Sequence, residues 1–306
     1  MDLTYDNKIL ELHKRYPWLK VTTTVEDYVA PEYYDQLLKD YIFSWKTDLH
    51  LFEEYLEIIP NKDFLNVLEL GCGSGRATSV FINHFKDRKY SLRMVDLSGK
   101  MLHFCHKKFS KFKNIDFIKS DSVDFLKKDS SAYDVIFSLW SFSHSTHQIL
   151  IRDGVDYGKK YIQSVIQKMV EKNMNKGSSF FLIHFDSMSD EQKILMQQWK
   201  KVYPIYNDTS VQSPSKLLID ETLQSLEKQE LLKLESIHYK GHEITYSSIE
   251  EALEIFLNFH MESYFNESPL LPQVIDELTS YFKNFTDKNG IIKIKPRCFI
   301  YKIEKL

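Results

Sequence analysis

The sequence predicts an α/β fold built on a mainly parallel sheet. Short apolar runs alternate along the chain with segments whose apolar residues recur at helical spacing, which is typical of βαβ units. A glycine-rich loop also lies between the first apolar run and the first helical segment, where the chain needs a sharp turn. The five predicted strands are 64–70, 90–95, 115–118, 133–139 and 179–185.

The segments between these strands justify the helical half of the prediction. Residues 76–85, 99–109 and 157–171 carry apolar side chains at the spacing of one helix face. Residues 1–60 are also predicted to be helical, and the segment 32–58 shows the same spacing.

The last third of the chain is less regular. Residues 231–246 alternate enough to form one strand, or two strands with a turn at Gly241. The final apolar run, 291–303, contains Pro296, which indicates a sheet edge or a bulge. Helices are predicted at 214–228, 248–265 and 272–285. We interpret the last two helices as an insertion before the final strand that forms a cap over the pocket.

Composition narrows the function classes. The chain has 306 residues, enough for two domains or one enlarged α/β domain. Its net charge of -3 disfavours a nucleic-acid partner, which usually requires a basic face. The local basic cluster at 107–113 is interpreted as a solvated helix end.

Cysteine use and hydropathy predict a cellular setting. The three cysteines, Cys72, Cys105 and Cys298, are odd in number and far apart, which indicates a reducing compartment rather than a disulfide framework. The first residues lack the apolar core of a signal peptide, and no run approaches about 18 apolar residues. We therefore expect a cytoplasmic protein without a membrane partner, either a monomer or a homodimer.

The glycine loop carries the main functional signal. Gly71, Gly73 and Gly75 alternate in NVLELGCGSGRAT, whereas a dinucleotide fingerprint would place its third glycine at Arg76. Glu69 stands just before the loop, where its charge would oppose a pyrophosphate but could pair with an amino group. This charge pattern favours S-adenosylmethionine (SAM), which carries a methionine zwitterion and a sulfonium, over NAD.

Two further carboxylates follow the next strands. Asp96 closes the second predicted strand, where a carboxylate can accept hydrogen bonds from both ribose hydroxyls. Asp121 follows the third strand and could accept a hydrogen bond from the exocyclic amine of adenine.

Four segments, in order, resemble the motifs of class I SAM-dependent methyltransferases. VLELGCGSG resembles their first motif, VDLSGKM the second, SDSVDF the third and YDVIFSLWSFSH the fourth. The resemblance covers about residues 64–185. It implies that SAM is held by Glu69, Gly71, Cys72, Gly73, Gly75, Asp96, Leu97, Met101, Asp121, Ser122, Leu139 and Trp140.

The same resemblance implies a Rossmann-like architecture. The expected fold has a seven-stranded, mostly parallel sheet with helices on both faces. Residues 1–60 would form an N-terminal helical lid, 61–247 and 290–306 the SAM-binding domain, and 248–289 the inserted helical cap.

Candidates for catalysis follow the fourth and fifth strands. His144 lies where the family brings the transferred methyl group, and a histidine there could deprotonate a hydroxyl or an ammonium. His147 is a weaker candidate, and both could be ordinary loop histidines. His184 and Asp186 flank the end of the fifth strand and could contact substrate, although strand alternation could equally bury His184 in the core.

Aromatic residues are candidates for the acceptor side of the site. Tyr28, Tyr33, Tyr34 and Trp45 lie in the N-terminal segment, and one of these rings could approach the sulfonium by cation–π attraction. His260 and Glu262 in the cap could meet a polar substrate or face solvent. The predicted acceptor-binding set is Tyr33, Tyr34, Trp45, His147, Asp186 and Trp199.

We predict no metal. His103 and His106 would share a helix face, but Cys105 would not, and a pair of ligands is not a site. Catechol-type methyltransferases carry acidic metal ligands after the fourth strand, and SLWSFSHSTH has none.

Two looser resemblances bear on the acceptor. The C-terminal half is similar in layout to histamine N-methyltransferases, with Trp199 and two lysines after the fifth strand. Carboxylic-acid O-methyltransferases also place aromatic residues after the fourth strand, as Trp140 and Phe142 are placed here. The sequence therefore predicts methyl transfer to the N or O atom of a small molecule. The alternatives are a protein or RNA methyltransferase, a non-catalytic SAM-binding regulator, and an NAD-dependent dehydrogenase.

Overall fold

A computed structural model describes the chain over residues 3–20 and 31–306. The N-terminal part contains helices α1 (Leu3–Arg15), α2 (Pro31–Leu38) and α3 (Asp48–Leu56). Strands β1 (Ile42–Phe43) and β2 (Lys46–Thr47) form a hairpin between α2 and α3. The prediction of helix throughout 32–58 is therefore wrong in its middle. Ser44 and Trp45 both adopt positive φ, which turns the chain back on itself in a two-residue hairpin loop.

The central sheet has seven strands, as predicted. In spatial order they are β5 (Ile115–Lys119), β4 (Lys89–Asp96), β3 (Phe64–Leu70), β6 (Tyr133–Leu139), β7 (Met174–Phe185), β11 (Arg297–Lys305) and β8 (Leu232–Lys240). Strand β11 runs antiparallel to both of its neighbours. The other pairs, β5–β4, β4–β3, β3–β6 and β6–β7, are all parallel. This arrangement confirms the predicted Rossmann-like fold.

Helices cover both faces of the sheet and bury its centre. One core joins Phe52 of α3 and Phe81 to the sheet residue Phe137, and the other packs Ile149 and Ile166 on the opposite face. Strands β3 and β6 are therefore almost continuously apolar, as expected for parallel strands covered on both sides. The covering helices are α4 (Arg76–His84), α5 (Gly99–Lys108), α6 (Ser122–Lys128), α7 (Phe142–Arg152), α8 (Val155–Lys168), α9 (Asp190–Trp199) and α10 (Pro214–Lys228).

The last segments form a helical layer above the sheet. Helix α11 (Ile249–Ile255) continues as a π-helix to residue 260, and α12 (Leu271–Lys283) follows. Strands β9 (Ile244–Tyr246) and β10 (Ile292–Ile294) pair as a separate two-stranded sheet beside these helices.

Pro296 interrupts the predicted final strand. The run 291–303 divides into β10 and β11, and β11 lies inside the sheet rather than at its edge. Pro296 sits between the two strands, so neither ladder needs its missing N–H. Its carbonyl oxygen accepts a hydrogen bond from the amide of Gly241 at 2.8 Å.

The N-terminal helix and the segment after it are held by residues 258–266. His13 Nε2 lies 2.8 Å from the carbonyl oxygen of Asn266. The Asn258 amide donates to the carbonyl of Trp18 at 2.9 Å, and the Asn266 amide donates to that of Lys20 at 2.8 Å. The segment that follows α1 is thus fixed by buried side chains far away in sequence.

The strand order creates a crevice. The chain moves outward from β3 to β5 and then returns to β6 on the other side of β3. In open α/β sheets, ligands bind at such a reversal, outside the carboxyl ends of the strands. The glycine loop follows β3 and the residues around Trp140 follow β6, so both border this crevice. Across the described residues, no helix is long and apolar enough to span a membrane.

Candidate cofactor and acceptor site

A cavity of about 450 Å³ opens at the carboxyl ends of the central strands. Its walls include the glycine loop, the end of β4 and the start of α7, and it continues to Phe259 and Glu262. This volume falls within the range of small-molecule and cofactor pockets.

The glycines shape the loop at the crevice. All three have positive φ, which glycine adopts without steric cost. A Cβ on Gly71 would overlap the side chain of Ser141, and one on Gly75 would lie 2.5 Å from the ring of Phe109. Gly73 has no atom within 4 Å of its would-be Cβ. Two of the glycines thus permit close packing of the loop, while Gly73 faces open space along the cavity wall.

Asp96 is fixed at the end of β4. One carboxylate oxygen accepts from the amide of Gly73 at 2.7 Å, and the other accepts from the amide of Ser98 at 2.8 Å. These two bonds fix the orientation of the carboxylate on the cavity wall.

Glu69 is buried beneath the loop. The hydroxyl of Thr78 donates to it at 2.5 Å. Burial raises the pKa of Glu69 to about 8, with the Asp96 carboxylate adding to the rise. The carboxyl is therefore largely protonated at pH 7, and a cation bound nearby would favour its ionised form.

Arg76 has a structural role at the position where a dinucleotide fingerprint needs glycine. Its guanidinium donates to both oxygens of the fully buried Asp48 at 2.9 and 3.0 Å. The indole of Trp140 donates to the same carboxylate at 2.8 Å, as does the amide of Leu49 at 2.9 Å. These bonds fasten α3 to the glycine loop and to the end of β6.

Residues 142–152 form helix α7 rather than the loop assumed for its histidines. His144, His147 and Gln148 share one helix face and line the cavity. His144 Nε2 lies 3.3 Å from a carboxylate oxygen of Glu262 and 2.8 Å from the amide nitrogen of Gln148. Glu262 itself adopts positive φ, a strained conformation of the kind that clusters at functional sites.

His147 has a different environment. Its ring stacks on Tyr206 with centroids 4.5 Å apart, and its Nδ1 lies 2.5 Å from the tyrosine hydroxyl. Burial lowers the pKa of His147 to about 3, so the imidazole stays neutral at pH 7.

An aromatic cluster lines the acceptor end of the cavity. The rings of Trp199, Tyr203 and Tyr264 contact one another with centroids 5.2 to 5.9 Å apart. Trp199 was predicted from the sequence, whereas neither tyrosine was. Tyr203 follows one helix and Tyr264 follows the π-helix of the cap, so no local pattern could have paired them.

Most of the predicted residues line this cavity. On the cofactor side, the exceptions are Gly75, which packs against Phe109, and Asp121. Asp121 caps α6, because its Oδ1 accepts from the amides of residues 123 and 124. The cavity is lined by Glu69, Gly71, Cys72, Gly73, Asp96, Leu97, Met101, Ser122, Leu139, Trp140 and His144.

Only some of the residues predicted to bind the acceptor line the cavity. Tyr34, His147 and Trp199 line the cavity. Trp45 lies away from it at the tip of the β1–β2 hairpin, where its side chain is 85% exposed and rests against His242. The side chains of Tyr28 and Tyr33 lie outside the described residues.

Asp186 is also placed away from the cavity. It is buried behind β7, and its carboxylate accepts from Gln212 at 2.8 Å and lies 2.9 Å from His238 Nε2. These partners hold the pKa of Asp186 below its usual value. Its charge is thus compensated within the protein, and it organises the end of the strand.

Glu262 and His260 both line the cavity. His260 is buried with Nε2 3.9 Å from a carboxylate oxygen of Glu191, which also accepts from the hydroxyl of Tyr41 at 2.5 Å. Within 3–20 and 31–306, no three His, Cys, Asp or Glu side chains are grouped as metal ligands.

Comparison with known proteins adds the family. Residues 67–152, from β3 to the end of α7, match the family model described as a methyltransferase domain. The matched region, residues 67–152, is therefore identified as a class I SAM-dependent methyltransferase domain. SAM is the cofactor of this family, which confirms the predicted cofactor class. No curated protein matches the sequence.

Several solved structures are similar to the chain at low identity. A coclaurine N-methyltransferase bound to N-methylheliamine and S-adenosylhomocysteine (SAH) is 16% identical, with a TM-score of 0.47, over 98% of this chain and 89% of that one. A plantazolicin methyltransferase in complex with SAH is 12% identical, with a TM-score of 0.42, over 99% and 100%. An rRNA methylase from Streptococcus thermophilus is 11% identical, with a TM-score of 0.38, over 85% and 98%. Likenesses this remote carry no information about the acceptor.

Proposed function

We propose that this protein transfers the methyl group of SAM to a nitrogen or oxygen atom of a small-molecule acceptor. The observation that carries the proposal is the continuity of the cavity. It runs from the glycine loop, past Trp140, to the aromatic and polar residues beneath the cap. A cofactor and a small acceptor would therefore occupy one covered space, as an in-line displacement requires.

The cofactor would occupy the half of the cavity near β3 and β4. Asp96 would accept hydrogen bonds from the ribose hydroxyls, since its carboxylate lines the cavity at the end of β4 and two backbone amides fix its orientation. Glu69, in its ionised form, would lie near the positive end of SAM. SAM itself supplies the reactive carbon, so the protein need only orient the acceptor and exclude water.

His144 would act as the base for acceptors that must lose a proton. It lies on the cavity wall between Glu262 and Gln148. A carboxylate beside the ring would stabilise the imidazolium formed when the proton arrives. Residues 1–60 and 248–289 would cover the site as lid and cap, which restricts it to acceptors small enough to enter.

The alternative functions would require features that differ from this covered cavity. A protein or RNA methyltransferase would need an open groove, and an RNA enzyme would need a basic face as well. The net charge of -3 and the ring-lined end of the cavity favour a small acceptor. A non-catalytic regulator would bind SAM without transferring its methyl group.

The first test is calorimetric titration of the purified protein with SAM, SAH and NAD. We expect both adenosyl ligands to bind and NAD not to bind. Asp96→Ala should weaken SAM binding about 10- to 100-fold, because hydrogen bonds to a charged group contribute about 1.5–3 kcal/mol. Asp116→Ala removes an exposed carboxylate on the neighbouring strand β5 and should leave binding unchanged.

The second test is transfer of radiolabelled methyl from SAM to panels of amines, carboxylic acids and phenols, with rRNA and protein as competing acceptors. Transfer to a small molecule supports the proposal. Transfer only to RNA or protein would overturn its acceptor class, and preferential binding of NAD would overturn the cofactor assignment.

A further inference from the structure

His184 presents an unused acceptor in the cavity wall. It lies near the carboxyl end of β7, its side chain is 3% exposed, and it lines the cavity. Its Nδ1 lies 2.7 Å from the backbone carbonyl oxygen of Phe185. A carbonyl oxygen can only accept, so Nδ1 carries the proton in this contact.

The other ring nitrogen is therefore the acceptor. Burial lowers the pKa of His184 to about 4, so the ring is neutral at pH 7 with a lone pair on Nε2. Within the described residues, this buried Nε2 has no hydrogen-bond partner. Buried polar atoms in folded proteins are nearly always paired, so Nε2 calls for a hydrogen-bond donor that the described residues do not supply.

The groups around His184 define what that ligand would be. His147 on α7 lines the same part of the cavity and is also kept neutral by burial. Ser213 and Ser215, at the start of α10, line the cavity as well.

Charged groups also act on the His184 ring, namely Lys216, Asp220 and Asp186. Lys216 and Asp220 are paired with each other, and Asp186 is satisfied by its own partners. A pocket that keeps two imidazoles from protonating would penalise an ammonium for the same reason, which is the loss of hydration. An uncharged donor suits this part of the cavity best.

We propose that His184 is a specificity-determining residue whose Nε2 accepts a hydrogen bond from an uncharged O–H or N–H group of the acceptor. This inference rests on the proposed function, because it takes the cavity beneath the cap as the acceptor site. It narrows the acceptor class to molecules that carry a neutral hydroxyl, amide or azole N–H at the end that reaches β7.

The first test needs neither cofactor nor acceptor. Two-bond ¹H–¹⁵N correlation spectra of the ligand-free protein report the tautomer of each histidine, and His184→Leu assigns the signal. We expect the Nδ1–H tautomer with an unprotonated Nε2 from pH 8 down to about pH 5. An Nε2–H tautomer, or a charged ring at pH 7, would overturn the inference.

The second test measures binding of matched probes in the presence of SAH. We expect 4-fluorophenol to bind at least tenfold more tightly than 4-fluoroanisole by ¹⁹F NMR, because a buried acceptor rejects a ligand that cannot donate. We also expect benzyl alcohol to bind more tightly than benzylammonium. His184→Leu should bring the phenol-to-anisole ratio close to one, whereas His106→Leu, which changes an exposed histidine on α5, should not alter it.

The outcomes separate this inference from the proposed function. A wild type that shows no preference for the phenol, or a His184→Leu variant that keeps the preference, would overturn the role of His184. A preference for benzylammonium over benzyl alcohol would overturn the claim that the group donating to Nε2 is uncharged. Either result would leave SAM binding and methyl transfer to be judged by their own assays.

Discussion

Arg76→Ala tests how α3 is fastened to the cofactor loop. The substitution removes both guanidinium bonds to Asp48 and leaves that carboxylate with the indole of Trp140 and the amide of Leu49. Asp48 is fully buried, and the Arg76 side chain is only 13% exposed. The ion pair is therefore mostly desolvated in the folded protein.

The expected cost follows from that burial. Breaking a buried ion pair from one side costs about 3–5 kcal/mol, because the remaining charge is desolvated without compensation. Many folded domains have an unfolding free energy of only about 5–15 kcal/mol, so the loss would be a large part of the total. The variant should still fold, with a lower midpoint of unfolding.

Arg152→Ala is the matched control. Arg152 also makes two bonds to one carboxylate, to Asp153 at 2.8 and 2.9 Å, but its side chain is 53% exposed. Exposed pairs contribute about 0–1 kcal/mol. Arg152 also donates to Asp124 at 3.2 Å, so this control removes at least as many charged contacts as Arg76→Ala but from an exposed setting.

Urea titrations followed by circular dichroism would give the free energies, with hydrogen exchange on α3 reporting local opening. Replacing both partners, Arg76→Met with Asp48→Leu, should cost less than the sum of the two single changes, because no unpaired charge remains. The reasoning would be refuted if Arg76→Ala cost no more than Arg152→Ala, or if the double replacement were simply additive.

Three further predictions concern the site itself. Because burial raises the pKa of Glu69, the protonated carboxyl contributes stability that is full below pH 4.5 and is lost as the pH rises through about 8. Urea titrations across this range should show the free energy of unfolding falling by up to about 1.4 kcal/mol per pH unit, and Glu69→Gln should remove this fall. An equal slope in the variant would contradict the assignment of the slope to Glu69. Gly71→Ala should abolish SAM binding in calorimetry through overlap with Ser141, whereas Gly177→Ala, at nearly the same φ with no atom within 4 Å, should retain it. His144→Ala should lower kcat about 100-fold for acceptors that lose a proton, with SAM affinity unchanged; an unaltered pH–rate profile would show that His144 is not the base.

Parallel strands and the cofactor loop could be predicted from local patterns alone. The run from 133 to 139 is apolar because both faces of β6 are covered, and its observed bounds agree with the prediction. Positive φ and close packing require glycine in the loop 71–75, so the glycines in the sequence already indicate this conformation. Features of this kind depend on neighbours in sequence.

Other features depend on contacts that no local pattern encodes. Asp186 was expected in the pocket because strand ends face the crevice, but Gln212 and His238 turn its carboxylate into the protein. Trp45 was expected at the acceptor site, but a hairpin loop carries it outward. The open nitrogen of His184 likewise depends on which tautomer the backbone of Phe185 selects, and periodicity cannot report that.

The buried amides of Asn258 and Asn266 have a consequence for synthesis of the chain. They bind the backbone of Trp18 and Lys20, partners that lie 240 and 246 residues earlier. A chain emerging from the ribosome can complete the first βα units around the glycine loop while α1 still lacks these partners. The first helix and the segment after it therefore lack these partners until residues 258–266 have been translated, and a chaperone could bind the N-terminal region during that interval.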